Sequence, residues 1–566
     1  MTNKIWIQLF NLEHPKVVGL AKELSIHPAL AQLLVNRNIN SFEEAKAFFR
    51  PEIEKLHYPF LMKDMDKAVQ RLEKAVLTNE KILVFGDYDV DGTTAVSMMY
   101  LFLKELTSQL SFYIPDRYKE GYGISSDSID FAADNDFTLI IALDCGTKSM
   151  DKIADAKKRG IDYIVCDHHE PGEILPDCIA LLNPKRKDCA YPCKHLSGAG
   201  VAFKFIQAYC EKNELGNENY LKFLDLVAVS IGADIVPIVG ENRILAHYGL
   251  KKLNKNPLPG LKTIILISKR KGELNMSDVG FGIGPRINAA GRMYSAAEVV
   301  ELLISDDVQL RDDLAQGIDN YNEERKVTEK EMTEEALLLL RGEEKRMSTV
   351  VFKEGWHKGV VGIVASRLQE KYYRPTLVLT EVEGKITGSA RSVKGFNILG
   401  AIEKCSHLLL QYGGHDHAAG ITLLPEKLEN FKHHFEKVVQ ESITEELLQS
   451  KLLVDATLNL NEIDDKFYRV LKQFEPFGPG NETPLFISKQ LINAGEFKVL
   501  GNEHLKFDAA DEQNSFKKIP AIGFKLARYS PLISKGNPFS ACYHLSMNHW
   551  NGKSILQLEV KDISSN

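Results

Sequence analysis

Residues 81–92, KILVFGDYDVDG, and the stretch that follows at 93–106, TTAVSMMYLFLKEL, decide how this chain is read. An apolar run of strand length ends in acidic residues and passes into a helix-forming segment, which makes a strand–loop–helix unit. The unit recurs. LSFYIP (110–115), TLIIALDCG (138–146), DYIVCDHHEP (162–171) and CIALLNP (178–184) are short apolar strands, separated by helical stretches such as MDKIADAKKRG (150–160). Strands alternating with helices predict a parallel or mostly parallel α/β sheet. Such sheets bind ligands outside the carboxyl ends of their strands, and the acidic residues fall at those ends.

The remaining sequence divides around this unit. At 566 residues the chain is long enough for about three or four domains. Residues 1–63 read as short helices with polar breaks, an N-terminal cap, and 64–305 hold the first α/β unit. A charged, helix-forming run at 306–345 predicts one long connecting helix of about 50 Å. A second, smaller α/β unit occupies 346–447. From KLLVDATLNL (451–460) onward, short alternating strands with regular turns predict a C-terminal β-barrel over 448–566.

Composition excludes other classes. A chain 44% hydrophobic and 26% charged is neither a fibre nor a disordered tail. No stretch reaches about 18 uninterrupted apolar residues and no secretory signal opens the chain, so a cytoplasmic protein without membrane association is expected. Eight scattered cysteines fit reduced thiols. Cys189, Cys193 and His195, with Cys178 as a fourth ligand, invite a zinc reading, but the spacing matches no standard motif and loop packing is favoured. A net charge of −7 argues weakly against an unusually basic nucleic-acid binder, although local patches decide partners.

The chemistry rests on four acidic strand ends. Asp87, Asp89 and Asp91 lie in GDYDVDG, Asp144 ends TLIIALDCG, Asp167, His168 and His169 end DYIVCDHH, and Asp234 follows the apolar run of VAVSIGADIVP. Alternation along an extended chain would point Asp87, Asp89 and Asp91 to one side. Any one of these is a helix cap or loop carboxylate when taken alone. An EF-hand loop is excluded, because no Glu stands at its twelfth position and a buried strand precedes it. Together, so many carboxylates need divalent cations as compensation, and mixed carboxylate and imidazole ligands suit Mn²⁺ or Mg²⁺. Two such ions about 3.5–4 Å apart suit phosphoryl transfer. GFGIGPR (280–286) is a poor dinucleotide loop, since Pro285 interrupts it and no strand precedes it.

On GDYDVDG, ALDCGT, CDHHEP, GADIVP, GPRINAAGRM and GGHDHAAG, in that order, the chain resembles the DHH phosphoesterase family, most nearly its single-strand-specific 5′→3′ DNA exonuclease branch. The resemblance implies a parallel-sheet DHH domain at 64–305, a DHH-associated domain at 346–447 that grips substrate, and an oligonucleotide-binding (OB) fold at 448–566. It implies Asp89, Asp91, Asp144, His168 and Asp234 as ligands of two Mn²⁺ or Mg²⁺ ions, with Asp144 as the bridge. Asp87 and Asp167 become ligands or orienting carboxylates, and His169 a donor or general acid at the scissile phosphate. Arg117, Arg286, Ser389, Arg391, Gly413, Gly414 and His415 form a pocket for the 5′-terminal phosphate. In the barrel, Phe524, Tyr543 and Trp550 with Lys525 and Arg528 are candidates for stacking bases and tracking phosphates.

The implied activity is release of 5′-mononucleotides from single-stranded DNA in repair and recombination. The strand would thread between the two α/β units. A single-strand-binding protein and a helicase are the candidate partners, and a monomer can do the work. Relatives often carry His at the position of Phe85, which implies a more weakly held first metal here or one held through an added water. Two other readings share the fold: a phosphodiesterase for short oligoribonucleotides or cyclic dinucleotides, and a DNA-binding scaffold without catalysis.

Overall fold

The computed structural model describes residues 4–9, 12–343, 345–534, 536–550 and 553–565. The chain forms two compact units, the larger comprising Trp6–Asn288, Ala296–Ala315 and Leu453–Asn566, the smaller chiefly Ala289–Ser295 and Gln316–Leu452.

In the larger unit a five-stranded sheet runs Leu110–Tyr113, Ile82–Gly86, Leu139–Leu143, Asp162–Cys166, Ala180–Leu182, with every pair parallel. Leu83, Phe85, Ile140, Ala142 and Val165 face Ile129, Ala132, Ile153 and Ala156 of the helices Ser126–Asp134 and Met150–Lys158. The alternate residues face the helices Val90–Leu103 and Gly198–Lys212. Burial on both faces is why these strands read as unbroken apolar runs. The chain moves from Ile82–Gly86 first to one side and then to the other, so the order reverses between Ile82–Gly86 and Leu139–Leu143, where Gly86 pairs with Leu143. Ligands bind at such a switch point, and Asp87 and Asp144 are the residues that follow these two strands.

Two sequence expectations about backbone are corrected. VAVSIGADIVP holds no strand: Leu224–Ala233 is a helix, and Asp234 is its C-cap. Leu224 to Ile231 are all buried, so neither a helical nor a strand period shows in the pattern. GDYDVDG is likewise not extended throughout. Asp89 is the N-cap of the helix Val90–Leu103, accepting from Gly92 N–H at 3.1 Å, and Asp91 lies in its first turn. The three carboxylates converge because the strand turns straight into a helix, not through strand alternation.

The C-terminal barrel is closed by five strands in the order Phe486–Leu500, His504–Asp511, Asn514–Gly523, Lys553–Ser565, Phe539–Trp550, the last pairing back to the first. Its core is continuous with the N-terminal helices Pro15–Leu24, Pro28–Asn36 and Phe42–Phe49: Val17, Leu30, Leu34 and Ala45 share one cluster with Leu458, Phe467, Phe486 and Tyr543. A strand, Ile5–Gln8, precedes those helices, which the expectation of helices alone did not include. Tyr543 is a core residue bonded to Ser488 Oγ at 2.7 Å, so it stacks no base. Phe524 is 53% exposed against His504, and the side chain of Trp550 lies outside the described residues.

Arg243 ties these parts of the unit together. Its guanidinium donates to five carbonyls, of Phe48, Gln473, Phe474, Glu475 and Pro476, and stacks 3.7 Å over the Phe48 ring. Arg243→Met would leave those buried acceptors short of donors and is expected to lower unfolding stability by about 3 kcal/mol. Chemical denaturation followed by fluorescence checks it, with an unshifted midpoint as the contrary result.

The smaller unit holds a sheet ordered Gln411–His415, Ala418–Leu423, Lys385–Arg391, Thr376–Val382, Thr349–Phe352, antiparallel except for the last pair. The helices Val361–Tyr372 and Leu428–Ser442 contribute to its cores. The expected connecting helix is Val308–Leu339, 32 residues. Among the described residues no helix is long and apolar enough to cross a membrane.

Candidate metal centre

The carboxylates gather at the switch point with the two histidines of DYIVCDHH. Three overlapping groups bring ligand atoms within 4.8 Å of one another: Asp87, Asp89 and Asp144; Asp91, His168 and Asp234; and Asp144, His168 and His169. Asp144 therefore belongs to the first group and reaches the second through His168, whose Nε2 is 3.2 Å from Asp144 Oδ1, 3.6 Å from Asp234 Oδ2 and 3.8 Å from Asp91 Oδ2.

Each side chain is aimed by its local backbone. His168 Nδ1 is 3.0 Å from the Leu196 carbonyl, to which it donates, so Nε2 presents its lone pair to the carboxylates. Burial lowers the His168 pKa, outweighing the attraction of Asp91, and keeps the ring neutral. Asp91 is gripped at the N-terminus of the helix Gly198–Lys212, where Gly198 and Ala199 N–H groups each donate at 2.7 Å, and Ser230 Oγ donates at 2.7 Å. Asp167 has both oxygens occupied: Thr147 N–H reaches Oδ2 at 2.9 Å, while Oδ1 takes His168 N–H at 2.7 Å and His169 Nδ1 at 2.7 Å. Burial works against its charge, but these bonds and the nearby His169 hold it well below the usual carboxylate range. His169 is raised in turn, since the Asp167 bond overcomes its burial. Asp167 is thus built to orient His169.

The other carboxylates are not so satisfied. Asp87 and Asp144 are pushed well up by burial and then by their acidic neighbours, Asp89 is raised by burial and by Asp91, and Asp234 is pushed up to about 8 by burial, Asp91 and Asp89. Among the described residues, Asp87 Oδ1 and Asp144 Oδ1 are buried and receive no hydrogen bond. Buried acceptors without donors, beside raised carboxylates and a neutral imidazole, fit hard divalent cations.

Several participants went unnoticed in the sequence. Tyr122 OH donates to the Asp144 carbonyl at 3.3 Å and lies 3.1 Å from His169 Nε2. Asn183 Nδ2 holds the His169 carbonyl at 2.8 Å. Gly198 stands against Asp144, where a Cβ would be 2.6 Å from Asp144 Cβ and Oδ1. The signal for Gly198 was present in LSGAGVAF, a serine cap with small residues opening an apolar helix. Gly198→Ala is expected to displace Asp144 and weaken Mn²⁺ binding by about 10- to 100-fold by calorimetry, with the circular dichroism spectrum unchanged. Parent-like affinity would contradict this.

Phe85 is buried and stacks on Tyr113 at 6.0 Å, offering no ligand. Cys189 Sγ accepts from Lys63 N–H at 3.4 Å, as loop packing requires. The residues expected at a 5′ phosphate fall in both units. In the larger unit Arg117 stacks on Tyr88 at 4.7 Å, where its charge reaches Asp87, and Arg286 donates to the Gly282 carbonyl at 2.8 Å. In the smaller unit Ser389 pairs with Gly420, Arg391 with Ala418, Gly413 with Gly420, Gly414 with Ala419 and His415 with Ala418, so neighbouring strands bring these five together. Gly414 has φ +146, and a Cβ there would meet the Ala418 carbonyl oxygen at 2.3 Å.

A doubly wound sheet with this carboxylate and histidine cluster at its switch point defines a DHH-type phosphoesterase, and residues 81–231 match the DHH family N-terminal domain. Residues 345–441 match the DHHA1 domain and 454–562 the RecJ OB domain. The single-stranded-DNA-specific exonuclease RecJ of Bacillus subtilis is 36% identical, over 99% of this chain and 71% of its own length. That of Escherichia coli is 31% identical, over 98% of this chain and 99% of its own. The crystal structure of RecJ from Thermus thermophilus in complex with Mn²⁺ superimposes with a TM-score of 0.83 at 26% identity, covering 99% of this chain and 80% of that one. The chain belongs to the RecJ family.

Proposed function

We propose that this protein is a metal-dependent 5′→3′ exonuclease that degrades single-stranded DNA to 5′-mononucleotides in repair and recombination. The observation that carries the reading is the pair of ligand groups, Asp87/Asp89/Asp144 and Asp91/His168/Asp234, joined through Asp144 and His168 beside the oriented His169. It is supported by relatives named as single-stranded-DNA-specific exonucleases and by related structures holding Mn²⁺ or Mg²⁺.

Asp87, Asp89 and Asp144 would hold one divalent ion, and Asp91, His168 and Asp234 the other, with Asp144 shared. When bound, two such ions supply Lewis acidity to the scissile phosphate and lower the pKa of water. The chain's own groups do the rest. Asp167 holds His169 at Nδ1, which leaves Nε2 as the atom that gives a proton to the departing 3′-oxygen. Tyr122 fixes the imidazole edge and the Asp144 backbone together. In the smaller unit Ser389, Arg391, Gly413, Gly414 and His415 would hold the terminal 5′ phosphate, the guanidinium forking onto its oxygens, Arg117 and Arg286 are the larger unit's candidates for phosphate contacts, and a captured 5′ end sets the direction of travel. The barrel would hold the strand beyond, with Phe524, Lys525 and Arg528 as its contacts. Such work belongs in the cytoplasm, by a monomer, with a single-strand-binding protein and a helicase supplying the strand.

Arg391→Ala is expected to raise KM about tenfold for a 5′-phosphorylated strand and to change it little for a 5′-hydroxyl strand. Equal effects on both would remove Arg391 from the phosphate pocket. The function itself is tested by comparing rates on a long single strand, its duplex and a dinucleotide in Mn²⁺. The reading requires the single strand to be degraded fastest, and preference for the dinucleotide would favour the small-substrate phosphodiesterase.

A further inference from the structure

The residues just ahead of GPRINAAGRM form a π-helical turn at Val279–Ile283. Such turns are rare and concentrate at functional sites. This one is seated on the helix that ends at Asp234: a Cβ on Gly280 would be 3.0 Å from the Gly232 carbonyl oxygen, and one on Gly284 would be 3.3 Å from Ala233 Cβ. The glycines let the turn lie close against the helix, yet Phe281 between them is 79% exposed. Two guanidiniums bracket the next residue. Arg286 donates to the Gly282 carbonyl at 2.8 Å, and Arg270 Nε would stand 3.0 Å from a Cβ on Gly282, while Arg270 Nη1 pairs with Asp278 Oδ1 at 3.1 Å. Residues 262–286 carry five basic side chains, Lys262, Lys269, Arg270, Lys271 and Arg286, against two acidic ones, Glu273 and Asp278. Ile235 follows Asp234 directly, 68% exposed and at φ +59, a conformation that β-branched residues rarely adopt.

We infer that Phe281 is a base-stacking post for the single-stranded substrate, with Arg270 holding the adjoining phosphate. An exposed ring on a turn flanked by two guanidiniums suits a ligand that offers flat apolar faces on an anionic backbone, and single-stranded DNA has both. A stacked base beside the helix that presents Asp234 would hold the strand in line with the carboxylate cluster without reading its sequence. The inference rests on the proposed exonuclease activity.

The test compares parent, Phe281→Ala, Phe281→Trp and Arg270→Ala on a 5′-phosphorylated oligothymidylate. Binding is measured in the Asp144→Asn background and kcat/KM in the active chain with Mn²⁺. Phe281→Ala is expected to weaken binding about tenfold and Phe281→Trp to stay within about twofold. Arg270→Ala is expected to reduce the slope of affinity against salt by about one. Strands with one abasic position, scanned along their length, add a readout that a folding defect would not move. One position should cost the parent about tenfold and Phe281→Ala nothing. Parent-like binding by Phe281→Ala, or the same abasic profile in both proteins, overturns the inference while the exonuclease reading stands. A parent chain that neither binds nor cleaves the strand overturns both.

Discussion

Replacing Asp144 by Asn is expected to reduce cleavage of single-stranded DNA by about three orders of magnitude or more, while raising the melting temperature of the metal-free protein. The two effects have one cause. Asp144 is buried at the meeting of both ligand groups, and burial together with Asp91, Asp89, Asp234 and Asp87 pushes its pKa well up. Its charge opposes the fold unless a cation is present, so a neutral residue of the same shape relieves the repulsion and removes the ligand that both ions would share. Asn is the right substitution for a backbone reason as well. Asp144 has φ +59, a left-handed conformation that Asn adopts readily and Ala does not. Ala would mix strain with lost chemistry. Steady-state kinetics and a thermal melt in chelator check both halves. Parent-like activity would remove Asp144 from the centre, and a lower apo melting temperature would show that its charge is compensated within the protein.

The second large effect is a pH-dependent response to metal. Asp234, pushed up to about 8, binds its proton more tightly folded than unfolded, as do Asp87, Asp89 and Asp144 in direction. For a carboxyl raised in this way, the stabilising contribution is complete below the unfolded pKa of about 4 and is lost as pH rises through the folded value. The metal-free protein should therefore lose stability progressively from about pH 4 to about pH 8, between the unfolded and folded values of Asp234. Mn²⁺ needs the deprotonated carboxylates, so its stabilisation should grow over the same interval. At about a hundredfold excess over Kd it is expected to raise the melting temperature by about 5–10 °C at pH 8 and by less at pH 6. Asp167 adds nothing to this slope above the ordinary carboxylate range, because its hydrogen bonds hold it ionised throughout the interval. A metal response equal at both pH values would mean that the carboxylates are not the ligands.

Much of this centre is legible in the amino-acid sequence because strand-end residues in a parallel sheet share one edge, so Asp87, Asp144, Asp167, His168 and His169 could be grouped from the apolar runs before them. Asp234 lies near Asp91 and His168 although it ends a helix and not a strand. A helix buried on every side, Leu224–Ala233, carries no period to distinguish it from a strand. Tyr122, Ser230 and Asn183 were hidden because a lone polar residue gains its role from a partner remote in sequence, as Ser230 does from Asp91. The union of the N-terminal helices with the barrel core was hidden for the same reason, since Leu30 and Phe486 are brought together only by the fold. Tyr543 shows the converse error: alternation cannot say which face of a barrel strand is the inside.

The most direct test is digestion of one DNA strand labelled separately at its 5′ and 3′ ends, in chelator and then in Mn²⁺, with products resolved over time. The account predicts no cleavage in chelator and, with Mn²⁺, loss of the 5′ label first, as mononucleotide, while the 3′ label persists on shortening strands. Release of the 3′ label first, internal cuts, or cleavage undiminished in chelator would contradict it.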